Sequence, residues 1–324
     1  MEYVNKIIKG DNLKVLKNMP AMKNKKWPEK KKIDPSKIKT ELYHDNFQNY
    51  KKYGIPKAQL VIADIPYNVG INAYGSSTEW YIDGDNKKGE SKKAGKQFFN
   101  SDKNFNLVEY MHFCSTLLIK EPKEKNKAPA MIVFCAFNQM QMLIDVGKKY
   151  GFNNGYPIFF IKNYSPQVLK ANMRIVGATE HAVVLYRDKL PKFNNDGKMI
   201  FNWMKWPHDN KIIKIHPTQK PISLLKKLIN IFTDEGDVVI DPVAGSGTTL
   251  KAACELNRHS YGFEIDRDVY KNAREKMLNN IQMSFLRPSI EGNCEKRVDM
   301  KLPYSIANIN EDPRKEMKPS EKGN

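Results

Sequence analysis

The stretch from Val238 to Glu264 constrains the fold more than any other part of the chain. A β-branched run, Val238-Val239-Ile240, enters the turn Asp241-Pro242-Val243-Ala244-Gly245-Ser246-Gly247. An apolar-periodic segment then begins at Ser246 or Gly247 and continues through Leu256 to a second apolar run at 261–265. Short β-branched runs bounded by Gly and Pro read as buried strands, and the segment between them reads as a helix. Gly245 and Gly247 let the backbone turn sharply and approach a ligand where any Cβ would collide. The helix, with Thr248 in its first turn, points unpaired N–H groups and its positive dipole end at the same space. Asp241, Ala244 and Ser246 share this turn with the glycines. Glu264 lies 19 residues beyond Gly245, close to the spacing of about 20 at which an acid holds a ribose diol. The third glycine of a dinucleotide fingerprint is missing, and no GxxxxGK[ST] occurs. That argues against NAD, FAD and a P-loop, and leaves a nucleotide-like cofactor.

Other short apolar runs, at 60–63, 131–135, 157–161 and 182–186, join 238–240 and 261–265 as candidate buried parallel strands. Helical periodicity separates some of them. Leu224, Leu225, Leu228, Ile229 and Phe232 line one face after a Pro-Thr-Gln-Lys-Pro start signal, and another helix is predicted over 266–279. Alternation of this kind predicts a doubly wound α/β sheet, and 324 residues suffice to bury its core. Polar segments interrupt the pattern. Residues 20–58 hold 11 lysines with Trp27, Tyr43, Phe47, Tyr50 and Tyr53 among them, and residues 71–105 are rich in Gly, Ser, Asn and Lys. Both read as basic insertions. Residues 286–324 read as a loosely packed, charged tail.

With 54 Lys+Arg against 36 Asp+Glu the chain carries a net charge of +18, which favours a polyanionic partner. Cys114, Cys135, Cys254 and Cys294 are far apart, with no CxxC, and three sit in apolar runs, so buried thiols are expected. The 6 histidines show no metal-ligand spacing, and no metal is expected. No apolar run approaches the roughly 18 residues of a membrane span, and the first residues lack a signal peptide's basic and apolar regions. A cytoplasmic location without a membrane is therefore expected.

Asp64-Ile65-Pro66-Tyr67 closes the apolar run at 60–63. Asp64 thus falls at the carboxyl end of a strand, the edge where open α/β sheets bind ligands. Pro66 stiffens the turn and removes an N–H, leaving acceptors. The Asp64 carboxylate and the Ile65 carbonyl can take both hydrogens of an exocyclic amine such as adenine N6. That amine is a poor nucleophile, because its lone pair is delocalised into the ring, and the two acceptors draw it toward tetrahedral geometry. Charge appearing on the nitrogen as it attacks a sulfonium methyl is stabilised by a preplaced carboxylate. Tyr67 can stack on a base that has left the helix. The alternative is a strand-ending Asp in a proline turn, with Tyr67 simply packing.

These residues resemble the S-adenosylmethionine-dependent amino-group DNA methyltransferases, which carry an Asp/Asn/Ser-Pro-Pro-Tyr/Phe catalytic motif. A catalytic motif that precedes the glycine motif is similar to the permuted β group of that family. Gly10-Asp11-Asn12 is similar to its cofactor-adenine motif, with Asp11 as the contact. Lys162-Asn163-Tyr164-Ser165-Pro166 followed by Glu180-His181-Ala182-Val183-Val184-Leu185 resembles its central strand pair. His216-Pro217-Thr218-Gln219-Lys220-Pro221 is similar to a motif beside the methionine end of the cofactor, which implies His216, Thr218 and Lys220 as cofactor contacts. The resemblance covers residues 1–20, 58–70, 105–187 and 212–280. It implies a Rossmann-like class I methyltransferase sheet within a catalytic domain at 1–285, S-adenosyl-L-methionine as cofactor and double-stranded DNA as substrate. It also implies a small target-recognition region at 188–215, where Trp203, Lys205, Trp206 and His208 are candidate DNA contacts.

One departure is Ile65, where the family usually has proline. Its carbonyl remains, and its extra N–H bears on the rigidity of the loop. An Asp in first position leans toward adenine N6, since cytosine N4 enzymes of this type more often carry Ser. Cytosine N4 methylation, an RNA or protein-glutamine acceptor on the same fold, and an inactive nucleic-acid-binding module are the alternatives. The target sequence, the oligomeric state and a cognate restriction enzyme stay open.

Overall fold

The structure is a computed structural model that describes residues 33–67, 82–84, 88, 92, 105–165, 175–207, 209, 212–216 and 218–279. The chain divides into two compact units, Met1–Leu286 and Arg287–Asn324, and every described residue belongs to the first. Asp11, His208 and the tail at 286–324 therefore lie outside the described residues, as does most of 71–105.

Among the described residues one sheet is formed by β1 Thr40–His44, β2 Leu60–Asp64, β3 Ala130–Cys135, β4 Asn154–Ile161, β5 Thr179–Tyr186, β6 Trp203–Lys205, β7 Val238–Asp241 and β8 His259–Glu264. Their order across the sheet is β1-β8-β7-β2-β3-β5-β4-β6. The central strands are apolar without alternation because both faces are covered. Val61, Ala63, Val133, Cys135 and Ile240 face one core layer, closed by α1 Leu107–Leu117 and α2 Met140–Lys149. Leu60, Ile62, Ile132, Phe134 and Val239 face the other, closed by α3 Ile222–Phe232 and α4 Thr248–Cys254. α5 Arg267–Asn272 runs on into a π-helical turn, Ala273–Leu278, whose Met277 joins the second layer. No described helix is long and apolar enough to cross a membrane.

The parallel arrangement expected for all the apolar runs fails at one strand. β5 is antiparallel to both of its neighbours, β3 and β4, while the other pairings are parallel. A run buried on both faces has the same composition whichever way it points, so periodicity carries no sign of direction. The reversal matters for the site. It turns the first residues of β5, including Glu180, to the edge where the other strands end.

The basic insertion expected at 20–58 is, from residue 40 onward, part of the body. β1 extends the sheet along β8, and the 3₁₀ helix Phe47–Tyr53 drives its aromatic face under α1. Phe47 and Tyr50 meet the Phe113 ring edge-on at 5.4 and 5.3 Å, and Tyr43 stacks on Tyr53 at 4.1 Å. The lysines that dominate the composition here, Lys51 and Lys52, point to solvent and hide this aromatic pattern.

Candidate active site

β7 and β2 lie side by side and parallel, with Leu60 opposite Val239 and Val61 opposite Ile240. β7 is followed by β8 on one side, and β2 by β3 on the other. This is a topological switch point, where open α/β sheets form their binding crevice. Asp241 and Asp64, the last residues of the two strands, consequently share one edge. Glu264 ends β8 at the same edge, opposite His44 of β1.

Asp64 is held from one side only. Lys220 donates from Nζ to its Oδ2 at 2.6 Å, whereas Oδ1 is buried and has no hydrogen-bond partner among the described residues. The Lys220 ammonium also lies 5.3 Å from the Tyr67 ring centroid and 5.3 Å from that of Phe134. Burial pushes the Asp64 carboxyl up from its usual range, and Lys220 pulls against that shift. Tyr67 donates its hydroxyl to Glu180 Oε2 at 2.8 Å, and Lys162 donates to Glu180 Oε1 at 2.5 Å. Burial works to raise Glu180, but the Lys220 and Lys162 ammoniums together outweigh it and hold the carboxyl below its ordinary value. Gln139 braces the turn. Its amide donates to the Pro66 carbonyl at 2.9 Å, and its oxygen accepts from the Ala136 N–H at 2.9 Å.

Ile65 resolves the question raised by its departure from proline. Its N–H is not free but donates to the Phe134 carbonyl at 3.2 Å, and its side chain is buried in the core. The extra N–H therefore stitches the turn to β3.

In the glycine turn, Gly245 has φ 50° and Gly247 φ 75°, conformations that favour glycine. Among the described residues a Cβ on Gly245 would have nothing nearer than the Val243 carbonyl at 4.0 Å, which leaves the space above the turn open to them. Asp241 sits beneath it, buried, with its Oδ1 accepting from the Val243 N–H at 3.1 Å. Burial raises its carboxyl to about 7. The folded state then binds a proton that the unfolded chain releases near its ordinary value of 3.8. Stability should fall as pH rises between about 4 and about 7 on this account. Replacing Asp241 by Asn should flatten that part of the curve in urea melts taken across this window. An identical pH dependence in the variant would contradict the assignment. Glu264 accepts from the Asp266 N–H at 2.7 Å and is likewise pushed up by burial.

The 216–221 segment spans both halves of the edge. His216 feels the charges of Lys220 and Asp266, and burial lowers its imidazole. Its Nδ1 lies 2.9 Å from Thr218 Oγ1. Lys220, expected with the cofactor, donates to Asp64. In the candidate recognition region, Trp206 packs edge-on against Phe160 at 6.2 Å with Lys162 4.7 Å over its ring, while Trp203 on β6 stays half exposed and stacks on Phe201. Sequence reasoning left Glu180, Lys162 and Gln139 without roles. The first two were visible in the strand-pair motifs, but Gln139 carried no signal. Among the described residues no group of three or more His, Cys, Asp or Glu could hold a metal ion.

The family model for DNA methylases matches residues 58–275, about two thirds of the chain, and the chain belongs to that family. It is 34% identical over 167 residues to the Type II methyltransferase M.HindIII of Haemophilus influenzae, a match covering 48% of this chain and about half, 52%, of that protein. To the DNA adenine methyltransferase YhdJ of Escherichia coli it is 25% identical over 252 residues, covering 73% and 81% of the two chains. The fold is shared with the M1.HpyAVI–SAM complex, at TM-score 0.52 and 24% identity over 73% of this chain and 99% of that one. It is also shared with the PvuII cytosine-N4-specific DNA methyltransferase, at TM-score 0.53 and 15% identity over 77% and 93%.

Proposed function

We propose that this chain transfers a methyl group from S-adenosyl-L-methionine to the exocyclic N6 of an adenine flipped out of double-stranded DNA. The observation that carries the reading is the Asp64 carboxylate, with one oxygen anchored by Lys220 and the other buried without a donor among the described residues. A buried acceptor left unpaired is costly, and an amine N–H removes the cost. Asp64 Oδ1 and the Ile65 carbonyl take the two amine hydrogens, and Tyr67, held by Glu180, supplies the ring on which the base stacks.

The residues at the edge fit the cofactor. The open space over Gly245, the buried Asp241 beneath it and Glu264 at the end of β8 suit a nucleoside with a ribose diol. In this reading Ala244, Gly245, Ser246, Gly247 and Thr248 bed the cofactor, Glu264 takes the ribose, His216 and Thr218 line its methionine end, and Asp11 meets its adenine. When bound, the cofactor supplies an electrophilic methyl on a sulfonium. The basic surface steers the polyanion, and base contacts in the groove set the target. Cytoplasmic action and pairing with a cognate restriction enzyme belong to the same reading, the latter because relatives are named as Type II methyltransferases.

The test is incubation with labelled S-adenosylmethionine and mixed-sequence duplex DNA, followed by digestion and identification of the labelled nucleoside. N6-methyladenine is expected. N4-methylcytosine would correct the base, and label found only in RNA or protein would overturn the substrate.

A further inference from the structure

Resting on the adenine-methylation reading, we infer that Lys220 is a positioning residue that locks Asp64 by Oδ2 so that Oδ1 alone faces the target amine. A carboxylate on its own turns readily about its last torsion, which is broad and two-fold, and would offer either oxygen. Here the turn is arrested. Lys220 is 7% exposed, its Nζ lies 2.6 Å from Oδ2, and the Tyr67 and Phe134 rings, each 5.3 Å from the ammonium, complete its cage.

The loop that carries Lys220 is itself braced. The Ile215 N–H donates to Gln219 Oε1 at 3.0 Å, the Gln219 amide donates to the Ile213 carbonyl at 3.1 Å, and Pro221 caps α3. Asp64 is paired with Lys220, and Glu180 with Lys162. As the N6 lone pair forms the new N–CH₃ bond, the S–CH₃ pair stays with sulfur, and N6 gives up one proton to the Asp64 carboxylate. An ammonium fixed on Oδ2 leaves Oδ1 available for that proton.

The groups facing Asp64 are Lys220 from the 216–221 loop, Glu180 from β5, Tyr67 in its own turn, Asp241 from β7 and Cys135 from β3. Lys220 is the strongest of them opposing protonation. Lys220→Met should therefore move the acid limb of kcat up by about 1 pH unit or more and cut kcat at neutral pH about a hundredfold. The KM for S-adenosylmethionine should hold. Lys220→Arg should restore part of the rate and pull the limb back.

A carboxyl-carbon NMR titration of Asp64, assigned with Asp64→Asn, should shift the same way in Lys220→Met without any turnover. Lys220→Gln substitutes if circular dichroism shows that the Met variant is unfolded. An unmoved titration and acid limb, with a raised KM for S-adenosylmethionine, would overturn the inference and return Lys220 to the cofactor. Wild-type protein that leaves adenine unmethylated would sink the parent reading, while the titration still decides whether Lys220 governs Asp64.

Discussion

Asp64→Ala is expected to lower methyl transfer to duplex DNA by about a thousandfold, the scale reached when a preplaced group that stabilises developing charge is removed. Affinity for S-adenosylmethionine should stay close to that of the wild type. Asp64 ends β2, whereas the turn assigned to the cofactor follows β7, so the two functions sit on neighbouring strands. The alanine variant carries a second effect. It strands the Lys220 ammonium, 7% exposed, without its carboxylate partner. An uncompensated buried charge costs about 3–5 kcal/mol, so this protein should also melt earlier. Asp64→Asn keeps the shape and an acceptor for Lys220, and separates the losses. It should retain most of the stability and lose most of the activity. Activity near the wild-type level in the Asn variant would show that the carboxylate is not what stabilises the reacting nitrogen.

Gly262→Ala should destabilise the protein by overpacking, with no change of charge. Gly262 lies within β8 beneath the glycine turn, and a Cβ there would stand 2.8 Å from Leu250 Cδ1, 2.9 Å from Ala244 Cβ and 3.2 Å from the Asp241 carbonyl. The last two belong to the turn itself, so the strain cannot be relieved without moving it. Overpacking of this kind costs about 1–3 kcal/mol. Denaturant melts should show that loss, and binding of S-adenosylmethionine should weaken with it as Ala244 is pushed away from β8. Wild-type melting and binding in the Gly262→Ala protein would mean that the turn is not packed against the strand in this way.

Gly262 also shows what sequence can carry and what it cannot. The strands, the left-handed glycines at 245 and 247 and the acid at 264 were legible because each has a local physical signature: β-branched runs, a residue without Cβ, a fixed spacing. Gly262 has none, since its need arises from Leu250 and Ala244 arriving from another element. The same holds for the direction of β5. Its apolar run predicts burial, but only the pairing with β3 and β4 places Glu180 beside Tyr67. Residues 40–53 failed for the opposite reason. Solvent-facing Lys51 and Lys52 set the composition, while Tyr43, Phe47 and Tyr50 did the packing. Lys220 was found by its motif, but a hexapeptide does not reveal that its ammonium reaches Asp64 at the end of β2.

The central claim is that Asp64 presents one carboxylate oxygen to the N6 amine of adenine. It is tested most directly by expressing the wild-type chain and its Asp64→Asn variant in a host lacking adenine and cytosine amino-methylation, and measuring the nucleosides of the host DNA by mass spectrometry. The account predicts N6-methyladenine in the wild-type culture and background levels with the variant at equal protein abundance. N6-methyladenine at the same level in both cultures, or its absence from both, would contradict it.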